Sequence, residues 1–408
     1  MKDREVIAYI LGFVLISGIP VLTYAATKVL PKVSLEPPVL EISGWIPYWR
    51  TATGTVDALM HLDTFKEINP FGYTVKQNGE LFDAMHTDSP YWQVLTQAAH
   101  AKKIRVIPTV MWSNAEAIHA VLKSKKLRAA HIKAIVQAVN HNGFDGIDID
   151  YEGKNAETKI YFSAFLRDLY KAMGKKWVMC TIESRTPLDS RFETIPKKIQ
   201  FANDYAIINQ YCDRVRIMAY DQQSIDLKLN DAAPGPYAPV ADPKWVEKVI
   251  TLAAKSISKK KIVIGVPTYG YEYDVTPLSQ EGYRYDVLWA FNQKYAVDIA
   301  ERAGITPQRN SAGELSFRYT AASVSSALTG ERDTTQVNNS ELATTSFTAS
   351  GSATSVSTTT PFRLVWWSDA AAIKDKIDLA KKLGVRGIAI FKIDGGEDPH
   401  MWDVLSGK

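Results

Sequence analysis

Three carboxylic acids, Asp148, Asp150 and Glu152, occupy every second position of the run Asp145-Gly-Ile-Asp-Ile-Asp-Tyr-Glu152. In an extended strand successive side chains point to opposite faces, so the three acids share one face and Ile147, Ile149 and Tyr151 share the other. Carboxyl groups filed together away from water cannot all ionise. Desolvation and mutual repulsion both raise their affinity for protons, so at least one should stay protonated near neutral pH. A protonated carboxyl beside ionised ones is what general acid–base chemistry requires, with the proton belonging to the coupled set. Glu152, at the C-terminal end of the strand, is the expected proton donor. Two other readings of the motif are weaker. An acidic strand at an open sheet edge conflicts with the flanking apolar alternation. A calcium or magnesium site conflicts with the spacing of about 6.6 Å between alternate strand residues, which keeps three side chains from converging on one ion. Neither a metal nor a cofactor is expected.

Such a strand needs a scaffold that aims one face inward. From Glu41 onward, short apolar runs alternate with longer stretches of helical periodicity, the signature of parallel strands joined by crossover helices. Eight strands are expected, at Ile42–Tyr48, Glu67–Val75, Ile104–Val110, Gly146–Glu152, Trp177–Ile182, Arg214–Tyr220, Ile262–Tyr269 and Gly387–Ile393. Helices are expected at Leu127–Asn140, Lys159–Met173, Trp245–Ser256 and Ala371–Leu383, among others. This is the pattern of a (β/α)8 barrel, an α/β fold whose active sites lie at the C-terminal ends of the strands. A single such domain accounts for residues 41–408. One connection, between the seventh and eighth strands, is far too long for a crossover helix, so residues 275–361 are read as an inserted α+β subdomain. Within it Tyr283–Gly304 looks helical and Glu314–Thr320 looks like a strand, whereas residues 338–361 are mostly Ser, Thr and Ala and read as a loop.

Composition agrees with a large globular domain: 408 residues are 46% hydrophobic and 23% charged, with a net charge of +4. Charges are mixed along the chain, so no concentrated basic face for nucleic acid is expected. Residues 1–27 contain an uncharged, largely apolar run from Val6 to Thr27 preceded by Lys2 and Arg4. It is long enough to cross a bilayer. It is either a signal peptide cut near Thr23-Tyr-Ala25 or an uncleaved anchor, and Pro20 and the weak cleavage site lean toward the anchor. Residues 28–40, with three prolines, read as a tether. The rest of the chain is therefore expected to work outside the cytoplasm, attached to the membrane if the segment stays uncleaved, and as a monomer. The two cysteines, Cys180 and Cys212, lie in or beside apolar runs and are expected to be buried free thiols, with pairing in an oxidising compartment as the alternative.

The acidic strand, together with Met218-Ala-Tyr220-Asp221 at the end of the sixth strand, resembles glycoside hydrolase family 18, which includes the chitinases and chitinase-like cell-wall lytic enzymes. Weaker matches at Pro108-Thr-Val110 and Gly265-Val-Pro-Thr-Tyr269-Gly extend the likeness over nearly everything from Glu41 to Asp403. The resemblance implies retaining hydrolysis in which the 2-acetamido group of the substrate, and not the enzyme, is the nucleophile. It casts Glu152 as acid and then base, Asp150 as partner of the acetamido nitrogen, Tyr220 as donor to the acetamido oxygen and Asp148 as the group that tunes Asp150. Asp221 would orient the acetamido group or a sugar hydroxyl. Arg216 shares the parity of Tyr220 and is a candidate to point inward and compensate a lower carboxylate, while Asp145, of opposite parity to the acids, would support the turn. Where many family members have a floor Trp in the eighth strand, this chain has Phe391. Tyr269, Trp112, Tyr48 and Tyr73, with Trp45 and Trp49, are candidate sugar platforms, although about half of such aromatics are ordinary packing. Gly395-Gly-Glu397-Asp398-Pro and Trp366-Trp367-Ser-Asp369 look closer to the bacterial spore-germination and peptidoglycan-lytic branch than to the chitin-degrading one. The implied substrate is a β-1,4-linked polysaccharide containing N-acetylglucosamine, either peptidoglycan or chitin. The alternative is a chitinase-like glycan-binding protein without turnover. Members of that kind usually lose the acid at the Glu152 position, which this chain keeps.

Overall fold

The computed structural model describes residues 40–278, 282–320, 346–349 and 360–407. The apolar segment 1–27, the tether up to residue 39 and most of the Ser/Thr tract lie outside them. Among the described residues no helix is long and apolar enough to cross a membrane.

Eight parallel strands close into a barrel: β1 (Glu41–Pro47), β2 (Glu67–Val75), β3 (Thr109–Trp112), β4 (Gly146–Tyr151), β5 (Trp177–Glu183), β6 (Arg214–Met218), β7 (Ile262–Pro267) and β8 (Gly387–Phe391). Each pairs with its sequence neighbours, and β1 pairs with both β8 and β2, which leaves no open edge. The third strand is shorter than its apolar run. Arg105–Val106 forms a separate two-residue piece against β2, because Pro108 has no N–H to give to the ladder. The seventh stops at Pro267, and Tyr269 already belongs to another sheet.

Helices cover the barrel because their apolar stripes match the outward faces of the strands. The helix Lys159–Met173 buries Phe162, Phe165, Leu166, Leu169 and Met173, at three- and four-residue spacing, and ends at Gly174 with φ +61°. Phe165 stacks on Tyr151 of β4 at 5.4 Å. Full burial of such a ring is worth about 2–3 kcal/mol. The outward residues of β4 are thereby fixed, and with them the inward aim of its acids.

Between β7 and β8 lies a second, antiparallel sheet of six strands in the order 308–309, 315–319, 362–367, 269–277, 283–292 and 346–349. It draws on Tyr269–Pro277 and Phe362–Trp367, beyond the limits expected from sequence. The expectation of a helix over Tyr283–Gly304 is corrected: Tyr283–Asn292 is a strand and only Gln293–Ala303 is helical. Tyr283, Tyr285, Val287, Trp289 and Phe291 are aromatic or β-branched residues that favour a pleated surface, and all five find partners across Tyr269–Pro277.

The expectation of free thiols is also corrected. Cys180 on β5 and Cys212, just before β6, form a disulfide with a sequence separation of 32.

Candidate active site

The interior of the barrel is layered. At the bottom Glu67 of β2 accepts hydrogen bonds from Asn69 Nδ2 at 3.0 Å and Arg105 Nε at 3.2 Å, and pairs with Arg216. One layer higher, the fully buried Asp148 accepts from Thr109 Oγ1 at 2.8 Å, Thr181 Oγ1 at 2.9 Å and Trp45 Nε1 at 3.2 Å. Arg216 Nη1 lies 3.0 Å from its Oδ2. Arg216 thus points inward at depth, between Glu67 and Asp148.

Asp150 is the next group up, and its surroundings differ sharply from those of Asp148. It is 3% exposed, and its Oδ1 has no hydrogen-bond partner among the described residues. Burial, and then the charges of Glu152, Asp148 and Glu183, push its carboxyl well above the ordinary range, with Lys154 pulling the other way. Glu152 follows at the top of the strand, half-buried, its backbone N–H donating to Trp112 O at 2.9 Å.

Tyr220, just past β6, faces this file. Burial, and then the charges of Asp150 and Asp221, hold its hydroxyl protonated far above the usual tyrosine range, so it is a hydrogen-bond donor at any working pH. Its ring stacks on Phe391 at 5.6 Å with planes 15° apart. Gly265 admits it, because a Cβ there would stand 2.8 Å from the Tyr220 ring. Asp221 adopts φ +57°, a left-handed conformation that Asp tolerates. Its Oδ1 accepts hydrogen bonds from Tyr269 at 2.6 Å and Tyr271 at 2.7 Å, while the residue itself remains exposed at the mouth.

Phe391 forms a floor against Trp45, Phe71 and Tyr269, at centroid distances of 5.8, 6.2 and 6.0 Å. Tyr48 is half-buried and meets Trp49 edge-on at 4.9 Å. Trp49, 37% exposed, is the most accessible of the candidate platforms. The other expected platforms are placed elsewhere. Trp112 is 3% exposed and packs on Tyr151 and His131 in the layer between barrel and helices. Tyr73 is 4% exposed in the same layer, turned outward by the register shift between Phe71 and Tyr73. Trp45 lies beneath the floor as a donor to Asp148. Tyr269 is a buried wall residue that holds Asp221 and offers no exposed ring face. Asp145 accepts from Val106 N at 2.8 Å and His100 at 3.0 Å, tying β4 to the preceding segment outside the acidic file.

Sequence reading missed Glu183 and Lys154. The β4–β5 register pairs Asp150 with Thr181, so Glu183 stands beside Glu152 at the barrel mouth. It accepts from Gly153 N at 2.9 Å and Asn203 Nδ2 at 2.7 Å. Counting parity along β5 from Cys180 would have found it. Among the described residues no three His, Cys, Asp or Glu side chains are grouped to hold a metal ion.

A barrel with an ordered acidic file on its fourth strand and Tyr-Asp on its sixth agrees with comparison against known proteins. Residues 42–396 match the family model for glycosyl hydrolases family 18. The chain belongs to that family. This family 18 chain is 21% identical over 344 residues to the uncharacterized glycosylase YvbX of Bacillus subtilis, covering 82% of the chain and 81% of the relative. Its fold is shared with the spore cortex-lytic enzyme SleL of Bacillus megaterium, at a TM-score of 0.64, 20% identity and coverage of 90% and 73%. It is shared equally with a chitinase of Chromobacterium violaceum, at 0.64, 18% identity and coverage of 90% and 98%. The family 18 chain is accordingly a glycoside hydrolase, similar in fold both to a spore cortex-lytic enzyme and to a chitinase.

Proposed function

We propose that this protein hydrolyses β-1,4-linked polysaccharides containing N-acetylglucosamine, by a retaining, substrate-assisted route, outside the cytoplasm. The observation that carries this reading is the contrast between two neighbouring acids. Asp148 takes hydrogen bonds from three strands and an ion pair with Arg216 from a fourth, whereas Asp150 is buried with an oxygen left over. A buried acceptor without a donor is costly unless a ligand supplies one. The N–H of an acetamido group is such a donor, and Tyr220 opposite can hydrogen-bond the acetamido oxygen.

In the proposed reaction Glu152 transfers its proton to the glycosidic oxygen as the C1–O bond breaks. The acetamido carbonyl oxygen attacks C1 from the opposite side, and the positive charge that develops on the resulting oxazolinium is stabilised by Asp150. Glu152, now ionised, takes a proton from water, which opens the ring at C1 and restores the original configuration. Asp221, set by Tyr269 and Tyr271, orients the sugar at the mouth, while Phe391 and Trp49 supply apolar ring faces beneath and beside it.

Extracytoplasmic placement is supported by the Cys180–Cys212 pairing, since disulfides persist in oxidising compartments. The test is product analysis by mass on purified peptidoglycan and on chitin side by side. Fragments with new N-acetylglucosamine reducing ends are expected from at least one. Binding without release of any reducing end, unchanged in Glu152→Gln, would instead make the protein a lectin.

A further inference from the structure

Two residues beyond Glu152, the chain buries an ammonium group that the reaction above does not use. The Lys154 side chain is 1% exposed, its Nζ donates to the carbonyl of Tyr151, and it lies 4.7 Å over the Phe162 ring. Glu183 Oε2 stands 3.9 Å away. The other oxygen of Glu183 accepts from Gly153 N at 2.9 Å, within the turn that leads out of Glu152. A buried lysine is expensive, and this one sits where its charge acts on the acids.

The charged groups that act on Lys154 come from the two neighbouring strands and the turn between them. The charges of Glu183, Asp150 and Glu152 act on Lys154, and the helix Lys159–Met173 places the Phe162 ring against it. On the far side of Glu183 the Arg185 guanidinium is clamped 3.9 Å from the Phe201 and Tyr205 rings.

Resting on the proposed acid–base role of Asp150 and Glu152, we propose that Lys154 and Glu183 are a positioning pair. Lys154 lowers, and Glu183 raises, the pH range over which Asp150 and Glu152 together hold one proton. Catalysis needs that single-proton state. With two protons the anion at Asp150 is missing, and with none the acid at Glu152 is missing. A unit charge at this depth acts on both steps in the same sense, so both limbs of the pH profile move in the same direction.

The test is the pH dependence of kcat/KM for the full chain, wild type against K154M, K154R and E183Q, on N-acetylglucosamine oligosaccharides. K154M is expected to move both limbs up by about one pH unit and E183Q to move both down by a similar amount, while K154R restores the wild-type profile. A side chain that acted only by packing would alter rate or stability and leave the limbs in place. Limbs that stay within about 0.2 pH unit in both K154M and E183Q overturn the proposal, as does a K154R profile displaced as far as that of K154M. Should K154M fail to fold, E183Q and K154R still decide it. If wild type releases no product, the proposed function fails separately. The same titration is then followed on the infrared band of the protonated carboxyl that disappears in D150N, with the same directions expected and an unmoved band contradicting the pair.

Discussion

The Arg216 guanidinium lies 3.0 Å from the Asp148 carboxylate and also pairs with Glu67, with all three side chains 3% exposed or less. The acidic file is therefore not a stack of uncompensated charges. Its lower half is neutralised from below, and the frustrated half begins at Asp150. Replacing Arg216 by Met leaves the buried Asp148 without a counter-charge and Glu67 with Arg105 alone, which should cost about 3–5 kcal/mol of folding stability. Denaturant unfolding measures this, and adding Asp148→Asn to the variant should recover part of the loss.

Removing the proton donor leaves substrate contacts in place. Glu152→Gln is expected to lower kcat by about 10³-fold with KM nearly unchanged, because the lost interaction acts only in the transition state. Tyr220→Phe removes one donor to the developing oxazolinium and is expected to lower kcat by about 10²-fold. Steady-state kinetics on a defined oligosaccharide checks both.

Barrel closure carries a pH dependence of its own. Burial would raise the pKa of Glu41, but hydrogen bonds from Arg214 and Arg386 outweigh it and hold the carboxyl at about 2 against 4.5 in a free side chain. The folded value is depressed, so the stabilisation is present above pH 4.5 and is lost as pH falls toward 2. Discounted for partial solvation, it amounts to about 2 kcal/mol. Glu41→Gln should lower the melting temperature at neutral pH, and the gap from wild type should close as the pH of the melt is lowered toward 2.

The disulfide closes a loop of 32 residues between β5 and β6. Its removal in Cys180→Ala/Cys212→Ala should lower unfolding free energy by about 3 kcal/mol. Denaturant titration gives the size of the effect. Thiol labelling of the unfolded wild-type chain purified from an oxidising compartment should find no free cysteine.

The acidic strand and the barrel were legible because period-two alternation and eight apolar runs survive in one dimension. Ile147, Ile149 and Tyr151 announce the outward face of β4, and the acids follow by parity. The same parity places Thr109 and Met111 inward on β3 and therefore Trp112 outward, so its loss as a platform was readable. Tyr73 was not, because the register shift after Phe71 inverts its face and leaves no composition signal. The helix expected over Tyr283–Asn292 failed because a sheet partner, Tyr269–Pro277, decided the conformation of an ambiguous segment. Cys180 and Cys212 required knowledge that β5 and β6 are neighbours before they could be paired. Lys154 and Glu183 escaped for a related reason, since their significance lies in the register of β5 against β4.

The central claim is that the substrate supplies its own nucleophile through a 2-acetamido group held by Asp150 and Tyr220. It is tested most directly by comparing cleavage of an N-acetylglucosamine oligosaccharide with that of its fully N-deacetylated counterpart, at equal length and concentration. The account predicts products of the acetylated chain and none of the deacetylated one. Comparable cleavage of both would contradict it.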